Sequence, residues 1–305
     1  MKENQLSFYA FFTDILRKES AAEAARFAHE CGFTAAEILE SVRPGAAYLF
    51  ADENAAKQAR EQLDAHGVRC ACWSVSINIL SDELGPNRNE SGVEALKRSA
   101  DHARILGSPF LHHTLTIGYL PPTGETVTIE QLLPALLERA EQVAAYANSI
   151  GLTVLYEPQG FYVNGLDGFS AFYGAMKARG YDVGVCGDTG NSLYVGFDPA
   201  AFFAAYASEI RHVHLKDLCF ECESLNRAST SASRRWDLTR DGRYITDTLL
   251  GEGVVDLDAC MQSLKEAGYK GTYSFETFYW NVLSVSLQEH LARDRAYVLH
   301  RYADA

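Results

Sequence analysis

A single (β/α)8 TIM barrel with a long loop after its seventh strand is the fold this chain predicts, on three observations. Short β-rich runs alternate with longer runs of helical period from one end of the chain to the other. Glycines follow or nearly follow the helical runs, at Gly32, Gly67, Gly107, Gly151, Gly180 and Gly268, where a left-handed cap favours that residue. No linker rich in Pro, Gly or Ser divides the 305 residues, so residues 1–305 are read as one domain. Barrels of about 250 residues are single domains, so the length agrees.

In order, the strands are expected at 6–12, 34–40, 68–77, 109–115, 152–157, 182–188, 210–216 and 272–277. Helices between them are expected, among other places, at 21–31, 54–66, 93–106, 129–150, 199–208, 257–267 and 287–302. The longest irregular insertion, about 217–253, follows the seventh strand, and a second loop, about 116–128 with Pro121-Pro122, follows the fourth. Loops in those places form the rim of a barrel's active site, so both are expected to shape substrate access or subunit contacts.

Bulk properties narrow the function. With 40 acidic against 27 basic residues the formal charge is −13, which repels phosphate backbones and argues against nucleic acid. The one basic cluster, Arg227, Arg234, Arg235, Arg240 and Arg243, falls in the insertion and is read as a solvated loop. No apolar run approaches the roughly 20 residues that cross a bilayer, and the first residues lack a signal-peptide pattern. A soluble cytoplasmic protein without membrane contact is expected. Seven scattered cysteines suit a reduced compartment rather than a disulfide framework. Cys70 and Cys72 read as core filling. Cys219 and Cys222 have Cys-x-x-Cys spacing but no second such pair to complete a structural zinc site.

Chemistry concentrates at four strand ends. Glu157, Asp188, His214 and Glu276 each sit at or near the end of a β-rich run, and a closed parallel barrel gathers such positions at one mouth. Alternation supports a common orientation. With these four facing inward, Val154, Tyr156, Val183, Val185, Val213, Leu215, Tyr273 and Phe275 face the helices. Each residue alone could cap a helix or bind loop amides, but three carboxylates at one mouth repel one another without a cation. Oxygen-rich ligation favours one divalent ion, Mn2+ first or Mg2+, while the imidazole admits Co2+, Zn2+ or Fe2+.

The motifs Leu155-Tyr156-Glu157-Pro158, Gly187-Asp188-Thr189-Gly190-Asn191, His212-Val213-His214-Leu215-Lys216-Asp217, Gly251-Glu252-Gly253 and Ser274-Phe275-Glu276 resemble the xylose isomerase-like barrel superfamily, which includes the sugar phosphate isomerase/epimerase family. The resemblance is close in the latter half and rests on periodicity in the first. It implies one divalent metal held by Glu157, Asp188, His214 and Glu276. In the ketose epimerases it further implies that Glu157 and Glu276 act as a proton-transfer pair about a metal-stabilised cis-enediolate. Two departures set this chain apart from those epimerases: Asn191 stands where they carry histidine, and Phe220 where they carry arginine. Endonuclease IV, a distant relative, needs more histidines and a surface that tolerates DNA.

Around this centre His112 and His113 close the fourth strand, and one of the two is expected to face inward as a general base or a ligand for a sugar hydroxyl. Asn191 and Lys216 are expected at the mouth. Glu40 and Trp73, near the ends of strands two and three, offer a hydrogen bond and a stacking face, with core packing the competing account of Trp73. The glycines at 184, 187 and 190 lack the ending and spacing of a phosphate loop and read as a tight turn.

The leading expectation is a metal-dependent sugar isomerase or epimerase of carbohydrate metabolism. A lyase on the same scaffold is the alternative, either a dehydratase of inososes or the catalytic subunit of a C-glycoside deglycosidase with a small partner subunit. A non-catalytic sugar or metal sensor ranks third. A homo-oligomer is expected from the relatives.

Overall fold

Eight parallel strands close on themselves in the computed structural model, which describes residues 1–42, 47–81, 90–116, 128–159, 163, 165–225, 227–228, 234–277 and 286–303. The first half contributes β1 (Leu6–Phe8), α1 (Phe12–Lys18), α2 (Ala21–Glu30), β2 (Ala35–Ser41), α3 (Glu53–Ala65), β3 (Arg69–Ser76), α4 (Gly92–Ile105), β4 (Phe110–His113) and α5 (Ile129–Ser149). The second half begins with β5 (Thr153–Tyr156), α6 (Leu166–Ala178), β6 (Val183–Asp188), α7 (Pro199–Tyr206) and β7 (Ile210–Leu215). An insertion with β8 (Asp217–Phe220), β9 (Asp237–Leu238) and β10 (Tyr244–Thr248) follows, then α8 (Leu257–Glu266), β11 (Thr272–Phe275) and α9 (Leu287–Arg301). The barrel runs β1, β2, β3, β4, β5, β6, β7, β11 and back to β1. The expected (β/α)8 architecture is therefore observed.

Local chemistry explains where the helices start. Ser20, Asp52, Ser91, Asp256 and Ser286 each accept a backbone N–H three residues on, at the first turns of α2, α3, α4, α8 and α9. The large apolar side chains lie between strands and helices: Phe8, Phe33, Trp73, Tyr156, Phe169, Phe172 and Phe275 are buried in one continuous layer. Inside the barrel, Cys72, Leu155 and Cys186 form a separate plug with Phe110 against it. Alternation along the strands thus separates an apolar outer face from an interior of small and polar groups.

Three expectations need correction. The first strand ends at Phe8 rather than residue 12, because Phe12 donates its N–H to the Tyr9 carbonyl (2.9 Å) and opens α1. Its ring then packs edge-on against Phe8. Helix α6 was not among those expected, yet Phe169, Phe172, Tyr173 and Met176 supply its buried face at helical spacing. The insertion is not irregular throughout: β8, β10 and β9 form an antiparallel sheet. Most of the loop expected at 116–128, with Pro121-Pro122, lies outside the described residues, as do 226 and 229–233 of the insertion.

Within that insertion Arg227, Arg235, Arg240 and Arg243 are exposed and Arg234 is half-buried, close to the solvated loop expected. Arg227, Arg235 and Arg243 pair with Glu221, Asp237 and Asp241. All seven cysteines are free. Among the described residues no helix is long and apolar enough to cross a membrane.

One carboxylate ties the insertion to the barrel. Asp217 is buried and accepts the backbone N–H groups of Leu218, Gly251, Gly253 and Val255 at 2.9–3.1 Å. Gly253 must be glycine for this, since a Cβ there would lie 2.0 Å from Asp217 Oδ1. Asp217→Ala leaves those amides without their acceptor and should cost about 3 kcal/mol, largely local to the insertion. Limited proteolysis checks it: cleavage within 217–253 should accelerate at least tenfold (about 1.4 kcal/mol) while the barrel stays resistant.

Candidate metal centre

At the C-terminal end of the barrel, register brings four donors together. Asp188 ends β6 and pairs with His214 on β7, which in turn pairs with Ser274 on β11. Glu157 and Glu276 are the first residues beyond β5 and β11. Ligand atoms from Glu157, Asp188, His214 and Glu276 all lie within 4.8 Å of one another, and all four residues are buried. His214 Nδ1 is 2.9 Å from Glu157 Oε2, 3.0 Å from Glu276 Oε2 and 3.8 Å from Asp188 Oδ2.

Within the centre Glu157 Oε2, Asp188 Oδ2, His214 Nδ1 and Glu276 Oε2 make no hydrogen bond, although Asp188 Oδ2 and Glu276 Oε2 lie in ion-pair reach of Lys216. In three of the four residues the other polar atom is tied. Asp188 Oδ1 accepts the N–H groups of Gly190 and Asn191 (2.7 and 2.6 Å), and Glu157 Oε1 faces the Asn191 side-chain amide at 3.5 Å. His214 Nε2 is 2.9 Å from Glu37 Oε1. Buried donor atoms left bare at one point are costly unless something charged sits among them. The donor set fits a divalent ion with mixed oxygen and nitrogen ligation.

Electrostatics agree. Four buried carboxylates, counting Glu37, face the Lys216 ammonium and the imidazoles of His112, His212 and His214. Burial lowers the pKa of His112 and His212, so with those two rings neutral the centre carries an excess of negative charge. The Lys216 ammonium lies 3.1 Å from Asp188 Oδ2 and 3.2 Å from Glu276 Oε2, and donates to Asn191 Oδ1 at 3.0 Å. Gly190 gives it room, because a Cβ would meet Lys216 Cγ at 2.6 Å. Burial, reinforced by Glu276 and Asp188, pushes Glu157 up to about 7. Burial would raise Glu276 as well, but the charges of Lys216 and His214 hold it at about 2. For His214, burial alone would lower the pKa, yet surrounding groups including Glu37, Glu276 and Glu157 keep it well above its ordinary range.

Other expected residues divide. His112 faces inward, its Nδ1 3.0 Å from Ser74 Oγ and its Nε2 3.6 Å from Glu157 Oε2. His113 does not share that space: alternation turns it outward, where Nδ1 meets the Thr114 carbonyl (3.0 Å) and the ring packs edge-on against Tyr156. Glu40 is also turned away from the mouth; it accepts from Ser99 Oγ (2.6 Å) and pairs with Arg98, both on α4. Trp73 offers no face to the mouth, being fully buried against Phe50 and His102 in the outer layer. Asn191 and Lys216 adjoin the four donors as described.

Two residues at the centre were not anticipated. Tyr9, just beyond β1, stacks on His214 with ring centroids 5.0 Å apart. Burial, then the charges of Glu276 and Glu37, keep its hydroxyl protonated well above its usual range. Glu37, on β2, contacts both His212 and His214. Since Glu37 and Glu40 lie three apart, only one can face the interior of a strand, and nothing local chooses between them.

A parallel barrel with a carboxylate–imidazole centre at its C-terminal mouth defines a class, and sequence comparison places the chain within it. The chain belongs to the xylose isomerase-like TIM barrel family, whose sequence model matches residues 25–297. It is 32% identical over 96 residues to the rhizopine catabolism protein MocC of Rhizobium meliloti, which covers 32% of this chain and 28% of that protein. It is 32% identical over 84 residues to an inosose dehydratase of Clostridium beijerinckii, covering 28% of this chain and 26% of the relative. The matched stretch therefore spans only about a quarter of these curated relatives. Among solved structures, a D-allulose 3-epimerase from a Methylomonas species superposes with a TM-score of 0.69 at 17% identity, covering 99% of each chain.

Two predictions follow from the bare donors. Mn2+ added to chelator-treated protein at about 100 times its Kd should stabilise the fold by about 2.7 kcal/mol, and Asp188→Asn should abolish the shift in thermal unfolding. The second concerns acidity. Glu157 must lose its proton to ligate, so ion affinity should fall as the pH drops through about 7. Calorimetric Mn2+ titrations in buffers of different ionisation enthalpy should show proton release on binding at pH 7; binding without proton release contradicts it.

Proposed function

We propose that this chain is a divalent-metal-dependent enzyme that moves a proton at the carbon next to the carbonyl of a sugar or related polyol, as an isomerase or epimerase. The observation that carries this reading is the pair Glu157 and Glu276. Each places a carboxylate oxygen within 3.0 Å of the same His214 nitrogen. A divalent ion held by Glu157, Asp188, His214 and Glu276, with Mn2+ the expected choice, supplies Lewis-acid polarisation of substrate oxygens.

The chain's own groups then do the proton work. One glutamate takes the proton next to the carbonyl and the other delivers it, either to the opposite face or to the neighbouring carbon. Their environments set them apart, Glu157 being held high and Glu276 low, which suits unlike roles. Lys216 and Asn191, bonded to each other, hold Asp188, Glu276 and Glu157 in place beside the substrate. His112 directs Nε2 toward Glu157 and serves as acceptor for a hydroxyl.

A second reading is a lyase of the inosose dehydratase kind. The sequence match to an inosose dehydratase supports it, as do Asn191 and Phe220, where ketose epimerases carry other residues. Both readings begin with the same proton abstraction and part at the carbon–oxygen bond.

Incubation of Mn2+-loaded protein with a panel of ketoses and inososes in D2O distinguishes them by NMR. Deuterium entering next to the carbonyl, with an epimer or isomer formed, is the expected outcome. Loss of water with a new enone absorbance establishes the lyase, and no exchange with any member defeats both. Glu276→Gln, assayed at saturating Mn2+, should slow the exchange by about 10^3-fold.

A further inference from the structure

Beneath the four donors lies a second set of contacts, centred on Glu37, that the proposed reaction does not use. Glu37 is fully buried on β2. Its Oε1 meets the Ser74 hydroxyl, in a contact shorter than a normal hydrogen bond, and His214 Nε2 at 2.9 Å. Its Oε2 meets His212 Nε2 at 2.7 Å. An ionised carboxylate can only accept, so each of these three neighbours must donate to it.

That polarity propagates. If His214 donates from Nε2, its neutral ring has a lone pair at Nδ1, the nitrogen facing Glu157, Asp188 and Glu276. If the Ser74 hydroxyl donates to Glu37, its oxygen is left to accept from His112 Nδ1, 3.0 Å away. A neutral His112 that donates from Nδ1 has its lone pair at Nε2. That atom is buried, has no hydrogen-bond partner, and lies 3.6 Å from Glu157 Oε2. One buried charge therefore orients two imidazoles with opposite ring nitrogens.

We propose that Glu37 is the common positioning residue of the centre, fixing His214 directly, and His112 through Ser74, so that Nδ1 of the former faces the ion and Nε2 of the latter accepts from a substrate hydroxyl. The ligand class is a polyol whose hydroxyl neighbours the reacting carbon, since only a donor complements the bare Nε2. This last assignment rests on the function proposed above; the arrangement of the ring protons does not.

Protein labelled with 15N-histidine and loaded with Zn2+, a diamagnetic probe, tests the arrangement without any substrate. Long-range 1H–15N spectra, assigned with His112→Gln, should show His112 protonated on Nδ1 alone and His214 on Nε2 alone. Ser74→Ala should release the His112 pattern, leave His214 unchanged and hold Zn2+ affinity within about twofold, while Ser74→Thr restores the pattern. Glu37→Gln should alter both rings and weaken Zn2+ binding about 10–100-fold. His112 protonated on Nε2 in the unsubstituted protein, or a His112 pattern indifferent to Ser74→Ala, overturns the proposal. So does undiminished Zn2+ affinity in Glu37→Gln, and if that variant fails to fold the serine pair still decides. With a substrate in hand, Ser74→Ala should lower kcat about tenfold at saturating Zn2+, with Ser74→Thr recovering it. If no substrate is found, the spectra still decide the proton arrangement, so failure of the functional reading remains distinguishable.

Discussion

Negative charge confined at the mouth of a dry barrel is the constraint around which the rest of this molecule is arranged. Two unit charges 4 Å apart interact by about 4 kcal/mol at an effective dielectric of 20, and Glu37, Glu157, Asp188 and Glu276 make several such pairs. Lys216 and His214 offset part of that repulsion. Burial first, and then the remaining repulsion from Glu276 and Asp188, pushes the pKa of Glu157 up to about 7. A fold optimised for stability alone would fill this space with aliphatic side chains, as it does one layer deeper with Cys72, Leu155 and Cys186.

The centre is held in place before any ion arrives. Asp188 is gripped by two amides of the turn that follows it, and His214 by Glu37 on the far side of the barrel. Thr189 Oγ1 bonds the Lys216 backbone at both its N–H and its carbonyl, locking the β6 turn to the end of β7. One step further along the same segment, Asp217 grips the insertion. Four consecutive residues, 214–217, thus carry a member of the candidate metal centre, a compensating cation and the anchor of the insertion. The anchor of the insertion and the centre are joined by one short stretch of chain.

Much of this was legible in the sequence, because strand alternation is a strong rule wherever one face packs against helices. It orients β5, β6, β7 and β11 correctly, since Val154, Tyr156, Val183, Val185, Val213, Leu215, Tyr273 and Phe275 are apolar and their alternates, Leu155 excepted, small or polar. The same rule, applied to β3, would have sent Trp73 outward and Ser74 inward. It is silent on β2, where either phase leaves one glutamate facing the helices and where the ladder shifts register between Ala36 and Glu37. Only the partners decide: Arg98 and Ser99 on α4 receive Glu40, while His212 and His214 receive Glu37. Those contacts link residues more than fifty positions apart, beyond the reach of periodicity. Phe110 and His112 against Leu111 and His113 pose the same ambiguity on β4, settled by pairing with Leu155.

The choice between epimerisation and elimination turns on one proton. An epimerase needs an acid on the face opposite its base, the roles proposed above for the two glutamates that flank the same nitrogen of His214. A dehydratase needs an acid at the leaving hydroxyl, one bond further along the substrate. Lys216, buried against Asp188 and Glu276, is the cation at the centre, whereas His112, in the proton arrangement proposed above, accepts rather than donates. On the function proposed above, a hydroxyl held by His112 would be retained, and one held by Lys216 would be made a better leaving group. On that same proposal, the orientation in which a polyol enters would decide which of the two hydroxyls neighbours the reacting carbon.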